Sequence, residues 1–304
     1  MRLQNTFPAK LITAIVALFI LSIITGAFRA ADQPKTGGPG GKSGVTASKA
    51  SGANSAQKRK TALVMLGTRD NWHMKPEQVD ALAGLLTGYC QLAAHFSDNP
   101  ADFTVENIRK YDVVVLWSAF ALNAQKEAPT KGALENVFKA VEAGTPLLSV
   151  HGGVYNTSID GSPEIEEKIG CKYVKGPHFP YQEFKVKIDK AHPITEGVSD
   201  FLVMDEAYRL EMLDPSAEIL ASYDARLVAK GSLDQPGMKE EQKEAMRLSH
   251  QWGEKTAQAP VLYTRVLGKG RIVVNILGHD GEALRNPSVR ALTEQSLRWL
   301  FTNQ

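Results

Sequence analysis

"GTPLLSVHGGVYN", residues 144–156, is an apolar run that meets a histidine and then two glycines. The run at 147–150 has the length and composition of a buried strand, and the paired glycines indicate a sharp turn after it. Many α/β enzymes carry their nucleophile at such a turn. Here His151 occupies that position. The segment therefore predicts an α/β sheet and raises the question of what an imidazole does at this turn.

The sequence on both sides of this segment alternates strand-like and helix-like stretches. Pro76 and Pro287 stand at the start of amphipathic stretches, as is typical of the first turn of a helix. The predicted strands are TALVMLG (61–67), CQLAAHF (90–96), DVVVLWSAF (112–120) and GRIVVNILG (270–278), and the predicted helices are PEQVDALAGLLTGY (76–89), TVENIRKY (104–111), GALENVFKAVEAG (132–144) and PSVRALTEQSLRWLF (287–301). This order predicts a doubly wound, mostly parallel sheet with right-handed crossovers.

The second half of the chain has a different pattern. Apolar and polar residues alternate in EFKVKI (183–188), YRLEML (208–213), EILASY (218–223) and PVLYTRVL (260–267). Alternation of this kind predicts half-exposed strands, which we expect to form an added antiparallel section. The polar residues 230–259 are predicted to be a long surface excursion.

The N-terminal residues are unlike the rest of the chain. Lys10 is followed by the apolar run LITAIVALFILSIITGAF, residues 11–28. Residues 1–30 therefore form either a cleaved secretory signal or an uncleaved membrane anchor, and both place the protein in the periplasm or outside the cell. Residues 31–60, rich in Gly, Ser, Ala and Lys, are predicted to be a flexible linker, and residues 61–304 one α/β domain.

Charge is distributed unevenly between these parts. Residues 1–60 hold nine Lys and Arg and one acid, which leaves 26 basic against 32 acidic residues, a net charge of −6, in the rest. This argues against nucleic acid as a partner, because a phosphate-binding fold needs a basic surface. The basic N-terminal part is compatible with a membrane tether. Cys90 and Cys171 lack metal or redox spacing and are predicted to be free thiols in preference to a disulfide.

Several histidines fall at predicted strand ends. Ligands of open α/β sheets bind beyond the carboxyl ends of the strands. His73 follows the first strand beside Trp72, His151 ends a central strand, and His279 ends the last strand. We therefore expect the imidazoles of His73, His151 and His279 to converge at one sheet edge, with Trp72 next to His73. By contrast, His192 in His-Pro-Ile-Thr is predicted to bond the backbone of a turn.

Three segments together resemble a known family. GTPLLSVHGG is similar to the nucleophile turn of class I glutamine amidotransferases, with His151 in place of the cysteine. KAHPITEGVSDFLVMDEAYRLEML (190–213) and PVLYTRVLGKGRIVVNILGHD (260–280) resemble the ThuA-like (trehalose utilisation) family of that superfamily. The resemblance covers about residues 61–302. It implies a glutamine amidotransferase-like, flavodoxin-like three-layer fold.

The resemblance also implies a function. Without a thiol at the turn, glutaminase chemistry is not expected, and the family is linked to disaccharides, including sugars oxidised at a ring hydroxyl. A ring ketone acidifies the neighbouring C–H, so we expect an enzyme that acts on a keto-sugar or glycoside by acid–base chemistry. The expected catalytic residues are His151, His279 and Glu206, and the expected substrate-binding residues are His73, Trp72, Gly152, His178, Tyr208 and Asp280.

Two other functions stay open at this point. The protein is alternatively a non-catalytic carbohydrate-binding domain that kept the fold and lost the thiol. A metal-dependent hydrolase is the second alternative, since three histidines and a carboxylate can bind a divalent metal. The candidate ligands lie on separate loops without helical spacing, so no cofactor is assigned. Asp205 and Glu206 have a structural alternative too, which is to position loops by accepting backbone N–H groups.

Overall fold

A nine-stranded sheet carries the fold of the described residues, and its two halves have different strand directions. The computed structural model describes residues 58–66, 75–117, 128–159, 163–174, 179–232 and 239–302. The strands are β1 (Thr61–Met65), β2 (Ala93–Ser97), β3 (Val113–Leu116), β4 (Leu147–Val150), β5 (Cys171–Tyr173), β6 (Gln182–Ile188), β7 (Phe201–Asp205), β8 (Leu210–Met212), β9 (Glu218–Tyr223), β10 (Ala259–Leu267) and β11 (Gly270–Asn275). The sheet order is β2-β1-β3-β4-β11-β10-β9-β6-β7, and β5 pairs with β8 separately.

Helices connect these strands. They are α1 (Pro76–Ala83), α2 (Val105–Ile108), α3 (Ala128–Glu142), α4 (Gly152–Ile159), α5 (Pro163–Ile169), α6 (Ala225–Ser232), α7 (Glu240–Glu254), α8 (Gly281–Arg285) and α9 (Pro287–Phe301). A π-helical segment, Gly84–Tyr89, extends α1, and a short 3-10 turn, Pro100–Asp102, precedes α2.

The parallel half of the sheet is its buried part. β2, β1, β3, β4 and β11 run parallel to one another. Every residue of β3 and β4 is buried, as expected for parallel strands that are covered on both faces. Because these strands share one direction, their carboxyl ends lie at a single edge of the sheet. The predicted α/β fold with a mostly parallel sheet is confirmed.

The antiparallel half extends the sheet from β11. β10, β9, β6 and β7 follow in antiparallel order. In β6 buried and exposed residues alternate, which is the pattern of a strand with one solvated face. The predicted antiparallel section is confirmed for the segments 183–188, 218–223 and 260–267, and β7 is the strand at its far edge. The segment 208–213 is a correction, because its strand β8 pairs with β5 in a separate sheet.

Two parts of the predicted layout are corrected. Residues 230–259 are largely helical, because the end of α6 and all of α7 lie within them. Gly253 of α7 approaches α6 so closely that an added Cβ would lie 2.6 Å from the Cβ of Ala229. The second strand begins at Ala93, three residues later than predicted, and Cys90 follows the π-helical segment instead.

Both cysteines are free thiols, as predicted. Cys171 is buried on β5 and Cys90 is half-buried. Burial raises the pKa of each thiol to about 12, so both stay protonated and unreactive at neutral pH.

The predicted export segment, residues 11–28, lies outside the described residues. Within the described ranges, no helix has the length and apolar character needed to cross a membrane. Of the predicted linker, residues 58–60 are described. Lys60 pairs with Asp112 at 2.8 Å, so the last linker residue already contacts the α/β domain.

Candidate active site

His151 lies in a tight turn between β4 and α4. Its φ is +42°, in the left-handed region that residues other than glycine rarely adopt. Gly153, two residues later, has no room for a side chain, because an added Cβ would lie 2.4 Å from the carbonyl oxygen of Leu116 on β3. Gly153 therefore lets α4 start directly against the neighbouring strand. This turn holds the imidazole at the carboxyl edge of the sheet.

Both ring nitrogens of His151 have partners, although the side chain is fully buried. Nδ1 lies 2.8 Å from the carbonyl oxygen of Ile276, just after β11. A carbonyl oxygen only accepts, so Nδ1 carries the proton of the neutral ring and Nε2 is the acceptor. The hydroxyl of Tyr208 lies 2.8 Å from Nε2 and donates to it. The neutral tautomer of His151 is thus fixed by its surroundings.

Asp205, the last residue of β7, ties three segments of the site together. Its carboxylate accepts backbone N–H groups from Gly278 at 2.7 Å, Glu206 at 2.8 Å and His279 at 3.2 Å. Burial raises the pKa of this fully buried carboxyl to about 7, against the three N–H donors, which lower it. Its Oδ1 lies 3.9 Å from Nδ1 of His151. The structural alternative for Asp205, a loop anchor that accepts backbone N–H groups, is confirmed.

The polar centre of the site consists of His151, Tyr208, Glu206 and His279. Oε2 of Glu206 lies 3.1 Å from Nδ1 of His279 and 3.6 Å from Nε2 of His151. The two imidazoles approach each other at 3.3 Å between Nδ1 of His279 and Nε2 of His151. The side chains of Glu206 and His279 are 14% and 19% exposed, although Oε2 of Glu206 is itself buried.

The carboxylates around His279 change its protonation. Burial alone would lower the pKa of this imidazole. The hydrogen bond and charge of Glu206, together with the charges of Asp205 and Asp280, outweigh burial and raise the pKa of His279 above its ordinary value. At neutral pH the ring therefore holds its proton more firmly than a free histidine does.

Aromatic residues enclose the inner side of the centre. The ring of Tyr208 packs 4.4 Å from His151 and 5.6 Å from Tyr173, measured between ring centroids. Burial raises the pKa of Tyr208 well above its ordinary value, so its hydroxyl remains a proton donor. On the outer side, the ring of Tyr181 lies 5.6 Å from His279.

Two further residues hold the loop that carries His279. The indole nitrogen of Trp117 donates to the carbonyl oxygen of Gly278 at 3.1 Å. Gln78 on α1 donates to the carbonyl oxygen of His279 at 3.0 Å. No local motif marks Trp117, Gln78 or Tyr181 in the sequence, because each acts through a contact distant in the chain.

The predicted site residues fall into three groups. The structure brings together His151, Glu206, Tyr208 and His279, and so part of the predicted convergence of histidines is present. Gly152 begins α4, and Asp280 caps α8 by accepting the N–H groups of Glu282 and Ala283. The remaining predicted residues, Trp72, His73 and His178, lie outside the described residues.

Other histidines have structural roles. Nδ1 of His192 accepts the backbone N–H of Ile194 at 3.1 Å, which confirms the predicted turn. His95 is exposed on β2, an edge strand. His250 pairs with Glu254 along α7 at 3.3 Å.

The centre contains the groups needed for proton transfer, namely a carboxylate, an imidazole with a raised pKa and a phenol. Its three ligand atoms, one each from His151, Glu206 and His279, also lie within 4.8 Å of one another and could hold a metal ion.

Comparison with known proteins identifies the relatives of this chain. The family described as Trehalose utilisation, ThuA, matches residues 61–300. Among curated proteins, none matches the sequence significantly.

Three solved structures are among those similar to this chain. A ThuA-like protein of Bacteroides uniformis ATCC 8492 has 16% sequence identity to this chain and a TM-score of 0.57. The alignment covers 83% of this chain and 96% of that protein. One from Parabacteroides merdae ATCC 43184 has 15% identity and a TM-score of 0.58, over 81% and 91%. A glutamine amidotransferase of Thermotoga maritima has 10% identity and a TM-score of 0.48, over 81% and 100%. Because the family match spans most of the sequence, the chain belongs to the ThuA (trehalose utilisation) family.

Proposed function

We propose that this ThuA family member is an exported enzyme that transfers protons on a carbohydrate, with a keto-sugar or keto-glycoside as its substrate. The observation that carries the proposal is the convergence of Glu206, His279, His151 and Tyr208 within hydrogen-bonding distance at the carboxyl edge of the sheet. The family's description, trehalose utilisation, supports a sugar as the substrate.

The centre offers the proton acceptor and the proton donor that enolisation of a ketone needs. A carbon next to a ring ketone loses its proton to a base, and its electron pair forms an enolate whose oxygen needs a donor. Glu206 is the candidate base, because its carboxylate contacts both imidazoles and its side chain is partly exposed. His279 is the candidate donor, because the neighbouring carboxylates raise its pKa and so favour its protonated form.

His151 and Tyr208 have a supporting role in this proposal. Nδ1–H of His151 donates to the carbonyl oxygen of Ile276, so Nε2 of the neutral ring carries no proton. Nε2 is therefore a hydrogen-bond acceptor next to His279. Tyr208 donates into that acceptor and fixes the ring. The buried setting strengthens each of these interactions, because few water molecules compete for the same groups.

The proposal is tested by proton exchange on a 3-keto-disaccharide. The full-length protein is incubated with the sugar in D2O, and NMR follows the C–H signal next to the ketone and the release of a monosaccharide. We expect exchange well above the rate without protein. Glu206→Gln should lower that rate by about 100-fold or more, because it removes the base while keeping the side-chain shape.

His95→Gln is the matched control, since it removes an exposed imidazole far from the centre along the sheet. It should leave the exchange rate unchanged. If Glu206→Gln exchanges as fast as the wild type, Glu206 is not the base. If the wild type binds the sugar without exchange or cleavage, the protein is a carbohydrate-binding domain and the enzymatic proposal fails.

A further inference from the structure

Three side chains of the centre present metal-ligand atoms to one another. These atoms are Nε2 of His151, Nδ1 of His279 and Oε2 of Glu206. Their separations are 3.3 Å between the two nitrogens, 3.1 Å from the oxygen to His279 and 3.6 Å from the oxygen to His151. They form a nearly equilateral triangle.

The size of this triangle matches one face of a metal coordination shell. Ligands about 2.1 Å from a divalent ion, at octahedral or tetrahedral angles, lie roughly 3.0–3.4 Å from one another. The three separations fall within or just beside that range. The contact of 3.3 Å between the two imidazole nitrogens is not explained by hydrogen bonds within the protein. Nε2 of His151 has a single lone pair, and the hydroxyl of Tyr208 already donates to it.

The surroundings orient His151 as they would a metal ligand. Metal-binding histidines usually donate their second ring nitrogen to a backbone carbonyl or a carboxylate, which fixes the ring and the tautomer. Nδ1 of His151 does so with Ile276 at 2.8 Å. Asp205 holds the backbone of both Glu206 and His279, so the other two ligands start from a fixed frame.

We propose that His151, Glu206 and His279 bind one divalent transition-metal cation, such as Zn²⁺ or Mn²⁺, as a two-histidine, one-carboxylate triad. Imidazole ligands favour these ions over Mg²⁺ and Ca²⁺, which take oxygen ligands. Binding requires His279 to release the proton on Nδ1 and Tyr208 to turn its hydroxyl away from His151. Three protein ligands leave positions for water or for sugar oxygens.

Binding of the ion is independent of the proposed function. Any role of the ion in the reaction rests on the proposed function. If bound, the ion would polarise a substrate carbonyl in place of His279, and Glu206 would be its ligand, so the role of Glu206 as base applies to the metal-free protein. Tyr208 remains the proton-carrying group beside it.

Metal binding is tested on the full-length protein purified without a histidine tag and stripped with a chelator. Zn²⁺ is titrated by calorimetry against a competing chelator, and Co²⁺ is added separately to record its visible spectrum. We expect one ion per chain, and a Co²⁺ spectrum typical of nitrogen and oxygen ligands in a site of low symmetry.

Variants locate the site. His279→Gln and Glu206→Gln replace the two partly exposed ligands, and each should weaken Zn²⁺ binding by at least about 100-fold, beyond the usual effect of a change behind the ligands. His95→Gln, with the same loss of one imidazole, should bind as the wild type does. Thermal unfolding without metal shows whether each variant is folded.

The outcomes separate this inference from the proposed function. Absence of stoichiometric binding by the wild type, or unchanged affinity in folded His279→Gln and Glu206→Gln, overturns the metal site. If protein stripped of metal still exchanges the C–H proton of the keto-sugar, the proposed function holds without a metal. Tight binding without any exchange on keto-sugars would support the metal site and contradict the proposed function.

Discussion

At the scale of single residues, the centre depends on a histidine in a backbone conformation that is unfavourable for it. A φ of +42° costs a residue other than glycine roughly 1–2 kcal/mol. The hydrogen bonds of both ring nitrogens help to offset this cost. The turn therefore aims the imidazole of His151 at Glu206 and His279.

Asp205 is the residue that positions the centre without belonging to it. Replacing it with alanine removes the acceptor of three backbone N–H groups, those of Glu206, Gly278 and His279. Each buried donor left without a partner costs about 1–3 kcal/mol, so we expect Asp205→Ala to lower the free energy of unfolding by at least about 3 kcal/mol. Asp205→Asn keeps one oxygen and should lose less. Urea unfolding measures both.

Asp200→Ala is the matched control for this prediction. Asp200 also accepts a backbone N–H, that of Ile188, but its side chain is exposed. Its loss should have a much smaller effect, because water replaces the carboxylate. Equal unfolding free energies for the two alanine variants would show that Asp205 does not anchor the site.

The sequence was sufficient to predict part of the centre. His151 and His279 followed from their places at strand ends, since such ends share one edge of a parallel sheet. Glu206 and Tyr208 came from the family resemblance. Gln78 and Trp117 could not be predicted, because they reach the loop at His279 from 201 and 161 residues away in the chain.

At the scale of elements, the turn from β4 into α4 depends on close approach to β3. In Gly153→Ala the new Cβ would lie 2.4 Å from the carbonyl oxygen of Leu116 and 2.7 Å from Oγ of Ser149. The first contact is with backbone, so the helix and the strand must separate. We expect a loss of about 1–3 kcal/mol in the free energy of unfolding, measured with urea, because overpacking forces such shifts.

Gly84→Ala provides the comparison. Gly84 has helical dihedral angles, φ −60° and ψ −38°, and an added Cβ would meet nothing within 4 Å. The alanine should stabilise the protein by about 0.5–1 kcal/mol, because it restricts the unfolded chain. If both variants change stability in the same direction, close approach at Gly153 does not explain its effect.

The elements themselves were predictable to different degrees. β3 and β4 are fully buried and apolar, so their pattern was unambiguous. β7 has the sequence FLVMD, in which the exposed positions Leu202 and Met204 are apolar, so its alternating burial does not show in the sequence, although its last residue anchors the site. α7 has the polar sequence EEQKEAMRLSHQWGE, which masks a helix that packs on α6 through few apolar residues.

At the scale of the whole molecule, charge and hydropathy divide the chain into two parts. Residues 1–60 have a net charge of +8 and the remainder −6, from nine basic residues and one acid against 26 and 32. A basic, apolar N-terminal region followed by an acidic α/β domain is typical of exported proteins that are synthesised with a signal or anchor. The family's fold does not depend on this region, because the family match begins at residue 61.

We predict that the chain is exported when it is produced with its own N-terminus in a bacterial host. Residues 11–28 are apolar and, as a helix, would measure about 27 Å, close to the hydrocarbon thickness of a bilayer. Fractionation should place the protein in the periplasm with a mass lowered by cleavage, or in the membrane with the full mass, and the intact mass decides between signal and anchor. Deletion of residues 2–28 is the control and should keep the protein in the cytoplasm. An uncleaved, full-length chain in the soluble cytoplasmic fraction would contradict export, and the sugar chemistry proposed for the centre would then take place on a cytoplasmic substrate.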